Sequence, residues 1–327
     1  MCDRASPRFA VGARPRNNPP VAGASRVHRT SFWLLGYTLF VVLFGAFVRI
    51  TGSGAGCGQH WPTCKGEIVP RSPTLETIIE FTHRATSGLY GLLVLALLVM
   101  AIRGYRRGHL VRVGAWLTLV LTIFEALIGA GLVKLGLTAG DDSVARAAMM
   151  AVHLVSTSLL TGALTLTWWA SGEARSLAVE GRGRTGLALV GILVGFVLVG
   201  MTGAVTALGD TLYPVAPGSD MLARITVEPG PAAHFLERLR IMHPVLALGV
   251  GGYVYVAARR VARADPRASV GRWASWVTIG VFVQLVAGVI NIMLSAPGWM
   301  QLVHLLLGTL VWIACVLLTL AALEADA

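Results

Sequence analysis

The stretch GLALVGILVGFVLVGMTGAVTAL, residues 186–208, decides the fold because it runs without a single charged side chain. A helix rises about 1.5 Å per residue, so this stretch can cross the roughly 30 Å hydrocarbon core of a bilayer. Similar runs predict eight spans, which start near Ser31, Glu80, Val113, Arg146, Gly186, Glu237, Trp273 and Gly298. Lipid cannot satisfy backbone hydrogen bonds, and the runs are too long for barrel strands, so we predict an all-α integral membrane protein with eight transmembrane helices.

The composition supports this class. Hydrophobic residues make up 55% of the 327 residues, charged residues only 13%, and the mean hydropathy is +0.70. A soluble globular chain carries charge on roughly a quarter of its positions, so a soluble enzyme, a fibrous protein and a disordered one are excluded. The net charge of +11 does not indicate nucleic acid as a partner, because the arginines are scattered between apolar runs. Membrane lipid is the predicted surrounding.

The distribution of positive charge predicts the orientation. The N-terminal tail and the loops after spans two, four and six contain 18 Lys and Arg, whereas the loops on the other face contain 5. Positive loops stay in the cytoplasm, so we predict a multi-pass protein of the bacterial inner membrane with both termini cytoplasmic and the loop of residues 51–79 outside. Residues 1–30 lack the apolar segment of a signal peptide and are interpreted as a disordered basic cytoplasmic tail. A mitochondrial transit peptide is the alternative, which the frequent prolines disfavour.

The chain contains a weak internal repeat. We predict an N-terminal four-helix half over residues 31–170, a cytoplasmic linker over 171–185 and a C-terminal four-helix half over 186–323. Because each half has an even number of spans, both enter the membrane from the same side, which predicts two parallel-repeat four-helix bundles. The matched positions are Thr51-Gly52 with Thr202-Gly203, which each end a first span, Gly129 with Gly288, His83 with His243, and His153 with His304.

Those four histidines are the candidate chemical groups, because ionisable residues inside a bilayer are costly and usually functional. Each lies within two or three turns of the outer end of its span. They are His83 in span two, His153 in span four, His243 in span six and His304 in span eight. Two histidines at one depth on facing helices are what bis-imidazole haem ligation requires, so the repeat predicts one haem iron site in each half. Hydrogen-bonded core histidines, a proton relay and a non-haem metal remain alternatives.

The halves differ beside the histidines. Glu80 precedes His83 by one turn in EFTHR, residues 80–84, whereas Arg240 takes its place in RIMHP, residues 240–244. A carboxylate beside a haem can act as a general base, and an arginine would rather hold a haem propionate. This predicts a reacting first half and a second half that stores or transfers electrons. An acid favoured by the helix dipole is the alternative for Glu80. Glu125 is matched by Gln284 and is interpreted as structural or part of a proton path.

The first outer loop reads GSGAGCGQHWPTCKG, residues 52–66. Cys57 and Cys64 lie on the oxidising face in a glycine-rich segment that can bring them together, so a disulfide is plausible. A zinc site that adds His60 lacks a fourth ligand, and two free thiols are the third alternative. The loop of residues 208–236 in the second half contains no cysteine.

The loop motif, followed by Glu80-x-x-His83-Arg84 and one histidine in each of spans four, six and eight, resembles the haem A synthase family of cytochrome oxidase assembly. The resemblance covers all eight spans. It implies two four-helix halves and the oxidation of the methyl group at porphyrin position 8 of haem O to a formyl group. Some members have a second cysteine pair in the second half, which this chain lacks.

Carried over to these residues, the resemblance implies that His83 and His153 flank the substrate haem O, with Glu80 as the catalytic acid. It implies that His243 and His304 ligate a haem b cofactor and that Cys57 and Cys64 pair. A haem O synthase and cytochrome oxidase assembly proteins are the implied partners, and a homo-oligomer remains open. The competing functions are a dihaem cytochrome b that carries electrons from quinol and a haem-binding chaperone without chemistry. The sequence leaves the oxygen source and the electron acceptor open.

Overall fold

The computed structural model describes residues 24–172, 175–179, 181–216, 218–226 and 233–325. Regular secondary structure in these residues is helical, without strands. The helices are α1 (Ala24–Ile50), α2 (Leu75–Gly104), α3 (Leu110–Lys134), α4 (Val144–Gly172), α5 (Gly183–Leu212), α6 (Met221–Ile225), α7 (Phe235–Arg238), α8 (Met242–Ala264), α9 (Ala268–Met293) and α10 (Gly298–Leu323). A 3₁₀ helix, Leu239–Ile241, joins α7 to α8.

Eight helical stretches in the described residues are long and apolar enough to cross a membrane, with mean hydropathies between 1.5 and 2.5. Their outer surfaces carry bare apolar side chains: Trp33, Leu187 and Phe282 are 73%, 74% and 68% exposed. Such an apolar surface is unfavourable in water and favourable in contact with lipid. The protein is therefore an all-α, multi-pass membrane protein, and the predicted fold class is confirmed.

Local chemistry sets where the helices that position the site begin and end. The hydroxyl of Thr74 accepts a hydrogen bond from the backbone N–H of Thr77 and caps α2. At the end of α3, Gly136 adopts a left-handed conformation, with φ of 69°, and Leu137 N–H donates to Leu132 O. Because α2 begins at Leu75, Glu80 lies in its second turn, further inside the helix than the sequence predicted.

Within each half, four long helices contact one another in a closed ring: α1, α2, α3 and α4 in the first, and α5, α8, α9 and α10 in the second. Each ring encloses its own apolar core, around Leu97 and Leu164 in the first half and around Ile192 and Val254 in the second. This arrangement is compatible with two repeated four-helix bundles. The halves meet where α4 packs against α5 and α10, and the indole N–H of Trp312 donates to Ser158 O at 2.7 Å.

Two sequence-based boundaries need correction. The helix α1 begins at Ala24, so residues 24–30 of the predicted disordered tail are helical, while residues 1–23 lie outside the described part. The pair Thr202-Gly203 does not end its span, because α5 continues to Leu212. Threonine and glycine recur throughout these helices, so a matching dipeptide did not define the register. The linker, predicted over residues 171–185, lies between the end of α4 at Gly172 and the start of α5 at Gly183.

Candidate functional site

All four candidate histidines lie at the end of the bundle that carries the Cys57 loop, which we call the disulfide end. His83 is eight residues into α2 and His153 nine residues into α4. His243 lies eight residues after Phe235, where its helical stretch begins, and His304 six residues into α10. The structure therefore agrees with the predicted common depth. Each pair lies on two helices of the same half.

The second-half pair has a geometry that suits a metal between two imidazoles. The ring centres of His243 and His304 are 6.2 Å apart, with the ring planes at 90°. Metal–imidazole bonds are about 2.0–2.1 Å long, which puts two imidazoles on opposite sides of one ion with their centres roughly 6 Å apart. Nδ1 of His243 lies 3.2 Å from Val199 O, an acceptor that holds a proton on Nδ1 and leaves Nε2 for a metal. These residues fit a bis-histidine haem.

Gln284 of α9 is the immediate polar neighbour of His304. Its amide nitrogen lies 3.2 Å from Nε2 of His304 and donates to the backbone oxygen of His304 at 3.1 Å. Nδ1 of His304 is buried without a hydrogen-bond partner in the described part of the chain. Iron binding through Nε2 therefore requires the Gln284 amide to turn away from the ring.

The first-half pair has a different environment. His83 and His153 lie within electrostatic range of each other, and the His83 ring meets Phe44 edge-on, with centres 5.5 Å apart. Nδ1 of His83 is buried and has no hydrogen-bond partner among the described residues. Nδ1 of His153 likewise makes no aligned hydrogen bond among the described residues, but it lies 2.5 Å from a carboxylate oxygen of Glu125. A buried ring nitrogen without a hydrogen-bond partner, in the same half as a second histidine, is compatible with a ligand set that a haem would complete.

Three glycines make room for the histidine rings. A Cβ at Gly45 would lie 3.1 Å from the His83 ring, a Cβ at Gly203 2.9 Å from the His243 ring, and a Cβ at Gly288 3.2 Å from the His304 ring. Such separations are too short for a side chain without movement of the ring. The sequence matched Gly288 to Gly129 but did not assign either glycine to a ring. The sequence did contain a signal for this role: Gly45 and Gly203 are 158 residues apart, close to the 160 residues that separate His83 from His243.

Glu80 is buried, 3% exposed, and both carboxylate oxygens are engaged. One accepts the backbone N–H of Cys57 at 2.7 Å, and the other pairs with Arg84. Arg84 also donates to the backbone oxygens of His60 and Thr63 in the first loop. Glu80 therefore fixes the loop over the first-half site, a role that the sequence did not predict.

Cys57 and Cys64 form a disulfide, as predicted. Both thiols are consumed, so neither the free-thiol alternative nor a zinc site with these two ligands applies. The disulfide and the Glu80 contact close the glycine-rich loop onto α2: a Cβ at Gly56 would lie 2.4 Å from the backbone of Glu76. Of the other cysteines, Cys315 is free and buried, and Cys2 lies outside the described residues.

Arg240, the counterpart of Glu80 by position, already has protein partners. Its guanidinium donates to Asp210 at 2.8 Å and to Tyr213 O at 2.7 Å, and the residue is 6% exposed. Arg49 crosses from the first half to the second and donates to Ala207 O at 2.7 Å and to Gln301 at 2.9 Å. The buried Arg240 and the partly buried Arg49 therefore lie at the disulfide end of the second-half site, with Asp210 as a carboxylate beside them.

Comparison with known proteins extends these observations. Residues 28–316 match the COX15-CtaA family, described as cytochrome oxidase assembly proteins. A protein of Bacillus cereus named "Heme A synthase" is 29% identical over 291 residues, which cover 86% of this chain and 89% of that protein. Another "Heme A synthase", from Alkalihalophilus pseudofirmus, is 37% identical over 138 residues, which cover 42% of this chain and 44% of that protein.

A third relative carries a different name. A protein of Thermus thermophilus named "Protoheme IX farnesyltransferase" is 49% identical over 304 residues, which cover 93% of this chain. The same match covers 49% of the Thermus protein, so this chain spans about half the length of that relative.

Proposed function

Since the chain belongs to the COX15-CtaA family of cytochrome oxidase assembly proteins, we propose that it is a haem A synthase. The proposed reaction oxidises the methyl group at porphyrin position 8 of haem O to a formyl group. The observation that carries the proposal is the pair of intramembrane histidines in each half, above all His243 and His304, whose ring centres are 6.2 Å apart. The "Heme A synthase" from Bacillus cereus, matched over 86% of this chain, supports the assignment.

In this proposal the two halves have different tasks. His83 and His153 hold the substrate haem O, and His243 and His304 hold haem b, which supplies electron transfer when bound. Glu80, one turn from His83, assists removal of a proton or a hydride from the substrate methyl group, or stabilises a carbocation that forms there. The carboxylate is held in place by Cys57 N–H and Arg84. The glycines that border the rings keep bulk away from the histidines.

The Thermus relative bears on the source of the substrate. Its name specifies farnesyl transfer to protohaem, yet about half of that protein lies outside the match. We attribute the transferase activity to that unmatched half and propose a haem O synthase as the partner that supplies this chain. By the same proposal the protein resides in the bacterial inner membrane with its disulfide end outside, where an oxidised cysteine pair is stable.

The decisive experiment is expression in a host that makes haem O but no haem A, followed by haem extraction and identification by chromatography and mass. Haem A or its hydroxymethyl precursor is the expected product. A protein that retains two bis-histidine haems but leaves haem O unmodified would refute the synthase.

Glu80→Gln tests the catalytic role. We expect haem binding to persist and the product to fall by roughly 10²-fold or more, the usual size of a general acid–base contribution. Arg84→Gln is the matched control, because it removes the loop contact and leaves the carboxylate. Equal losses in both variants would show that Glu80 acts only by fixing the loop, and full activity of Glu80→Gln would exclude the catalytic role.

The second candidate is a dihaem cytochrome b that carries electrons from quinol. The specific observation in its favour is that both oxygens of Glu80 are engaged by the loop and by Arg84. Rapid reduction of both centres by quinol, together with unaltered haem in the host above, is its expected signature.

A further inference from the structure

The carboxylate of Glu125 on α3 is held at both oxygens by α4. One oxygen lies 2.5 Å from Nδ1 of His153, and the other accepts the hydroxyl of Thr157 at 3.1 Å. Thr157 follows His153 by one turn, so the two α4 groups present one face to Glu125. The Glu125 side chain is only 14% exposed. A largely buried carboxylate with both oxygens against one helix has a restricted position.

The second half places a different set at the same positions. A shift of 159 residues on the third helix of each half relates Glu125 to Gln284, and a shift of 151 on the fourth relates His153 to His304 and Thr157 to Gly308. The structure confirms that these residues meet, because Gln284 contacts His304 and a Cβ at Gly308 would lie 3.2 Å from the Gln284 amide. The acceptor and the hydroxyl of the first half are therefore replaced by an amide donor and a bare backbone.

We propose that Glu125 is a positioning residue: it accepts the Nδ1 proton of His153, directs Nε2 of that ring toward the haem iron, and makes the first-half centre electronically different from the second. The inference rests on the proposed function for the presence of haem in both halves. It assigns the difference between the halves to Glu125 and Gln284, beside the fourth-helix histidines, as well as to Glu80 and Arg240.

Glu125 can make the two centres different because it changes how strongly the His153 ring donates electrons to the iron. A carboxylate that accepts the second ring proton fixes the tautomer and raises the basicity of the ligating nitrogen. A more basic ligand favours ferric over ferrous iron, and hydrogen bonding around the ligand is one of the ways by which a protein sets the potential of a haem. Nδ1 of His304 has no carboxylate beside it in the described part of the chain, so the second-half ligand lacks this effect. We therefore expect the first-half centre to be the harder one to reduce.

The first test needs no haem. In haem-free protein labelled with ¹⁵N-histidine, solid-state NMR distinguishes a ring protonated at Nδ1 from one protonated at Nε2. We expect the His153 resonance, identified by its loss in His153→Gln, to show a strongly hydrogen-bonded Nδ1–H that disappears in Glu125→Gln. An Nε2–H tautomer of His153 in the wild type, or a spectrum unchanged by Glu125→Gln, would overturn the proposal.

The second test is a redox titration of the haem-loaded protein. Glu125→Gln should shift the reduction equilibrium of the first-half haem toward the ferrous state by roughly tenfold, about 59 mV for one electron, and leave the second centre unchanged. Unchanged potentials in a correctly loaded Glu125→Gln variant would overturn the proposal.

Thr157→Ala is a second variant that can be measured if Glu125→Gln fails to fold. It removes one contact to the carboxylate and leaves both His153 and Glu125 in place, so a smaller shift in the same direction is expected, and no shift would count against the proposal. The outcomes also separate the two hypotheses. A wild-type protein that shows the Nδ1–H tautomer but binds no haem would refute the proposed function and leave the hydrogen bond intact.

Discussion

Replacing Gly203 by alanine should weaken haem binding in the second half. A Cβ at this position would lie 2.9 Å from Cε1, 3.3 Å from Nδ1 and 3.5 Å from Nε2 of His243. Carbon atoms in contact are optimally about 3.5–4.0 Å apart, so the ring must move by several tenths of an ångström or more. That movement also strains the contact of Nδ1 with Val199 O, now 3.2 Å long. Overpacking of this kind typically costs about 1–3 kcal/mol.

Each 1.4 kcal/mol corresponds to a factor of ten in an equilibrium constant, so about 1–3 kcal/mol predicts roughly 5- to 150-fold weaker haem binding at this site. The assay is a haem titration of the haem-free protein in nanodiscs, followed by the absorbance of the low-spin product. His83→Ala is included in every sample, so that the second-half site is measured with the first-half pair broken.

Gly249→Ala, on α8 with nothing within 4 Å of the added Cβ, is the matched control and should bind haem as tightly as its parent. Unchanged binding by Gly203→Ala would refute the assignment of Gly203 to the histidine ring. Equal weakening by Gly249→Ala would attribute the effect to the helix and not to the contact with His243.

Two further predictions concern stability. Asp210→Asn breaks the ion pair with Arg240, in which the side chains of Asp210 and Arg240 are 12% and 7% exposed. It should destabilise the protein by about 3–5 kcal/mol in denaturant titrations. Glu67→Gln, in an exposed pair, is the control and should change stability by less than about 1 kcal/mol. Tyr213 donates to Asp142, which raises the pKa of Tyr213 to about 12, above the unfolded value near 10. Its contribution to stability is therefore complete below about pH 10 and is lost as the pH rises through 12, so the wild type should lose more thermal stability than Tyr213→Phe between pH 8 and pH 12. Equal losses in the two proteins would contradict the second prediction, and tolerance of Asp210→Asn would contradict the first.

Several features of the site were predictable because they depend on local pattern. A histidine in an apolar run is visible in one dimension, and its distance from the end of the run gives its depth, since a helix has a fixed rise per residue. This sufficed to place His83, His153, His243 and His304 at one level of the bundle. The cysteine pair was one of three alternatives from sequence, and the structure resolved it as the disulfide.

The partners of those residues were not predictable in the same way. Nothing in the sequence around Glu80 indicates that its carboxylate binds the backbone of Cys57, because the contact depends on how the loop folds back over α2. The Thr-Gly dipeptides misled the alignment of the first spans, since small residues recur along many faces of a membrane helix. The role of Gly45 and Gly203 is visible only in the tertiary structure, where a histidine from the next long helix of the same half packs against each of them.

The sequence by itself determined that the chain crosses a membrane eight times as helices and that four histidines share one depth, because hydropathy and helical rise are properties of a single segment. Tertiary structure alone decided which groups meet those histidines: Glu125 at His153, Gln284 at His304 and Val199 O at His243. The rotation of one helix about its axis relative to its neighbours sets these contacts, and in lipid that rotation is fixed by close packing between helices rather than by the hydropathy of either one.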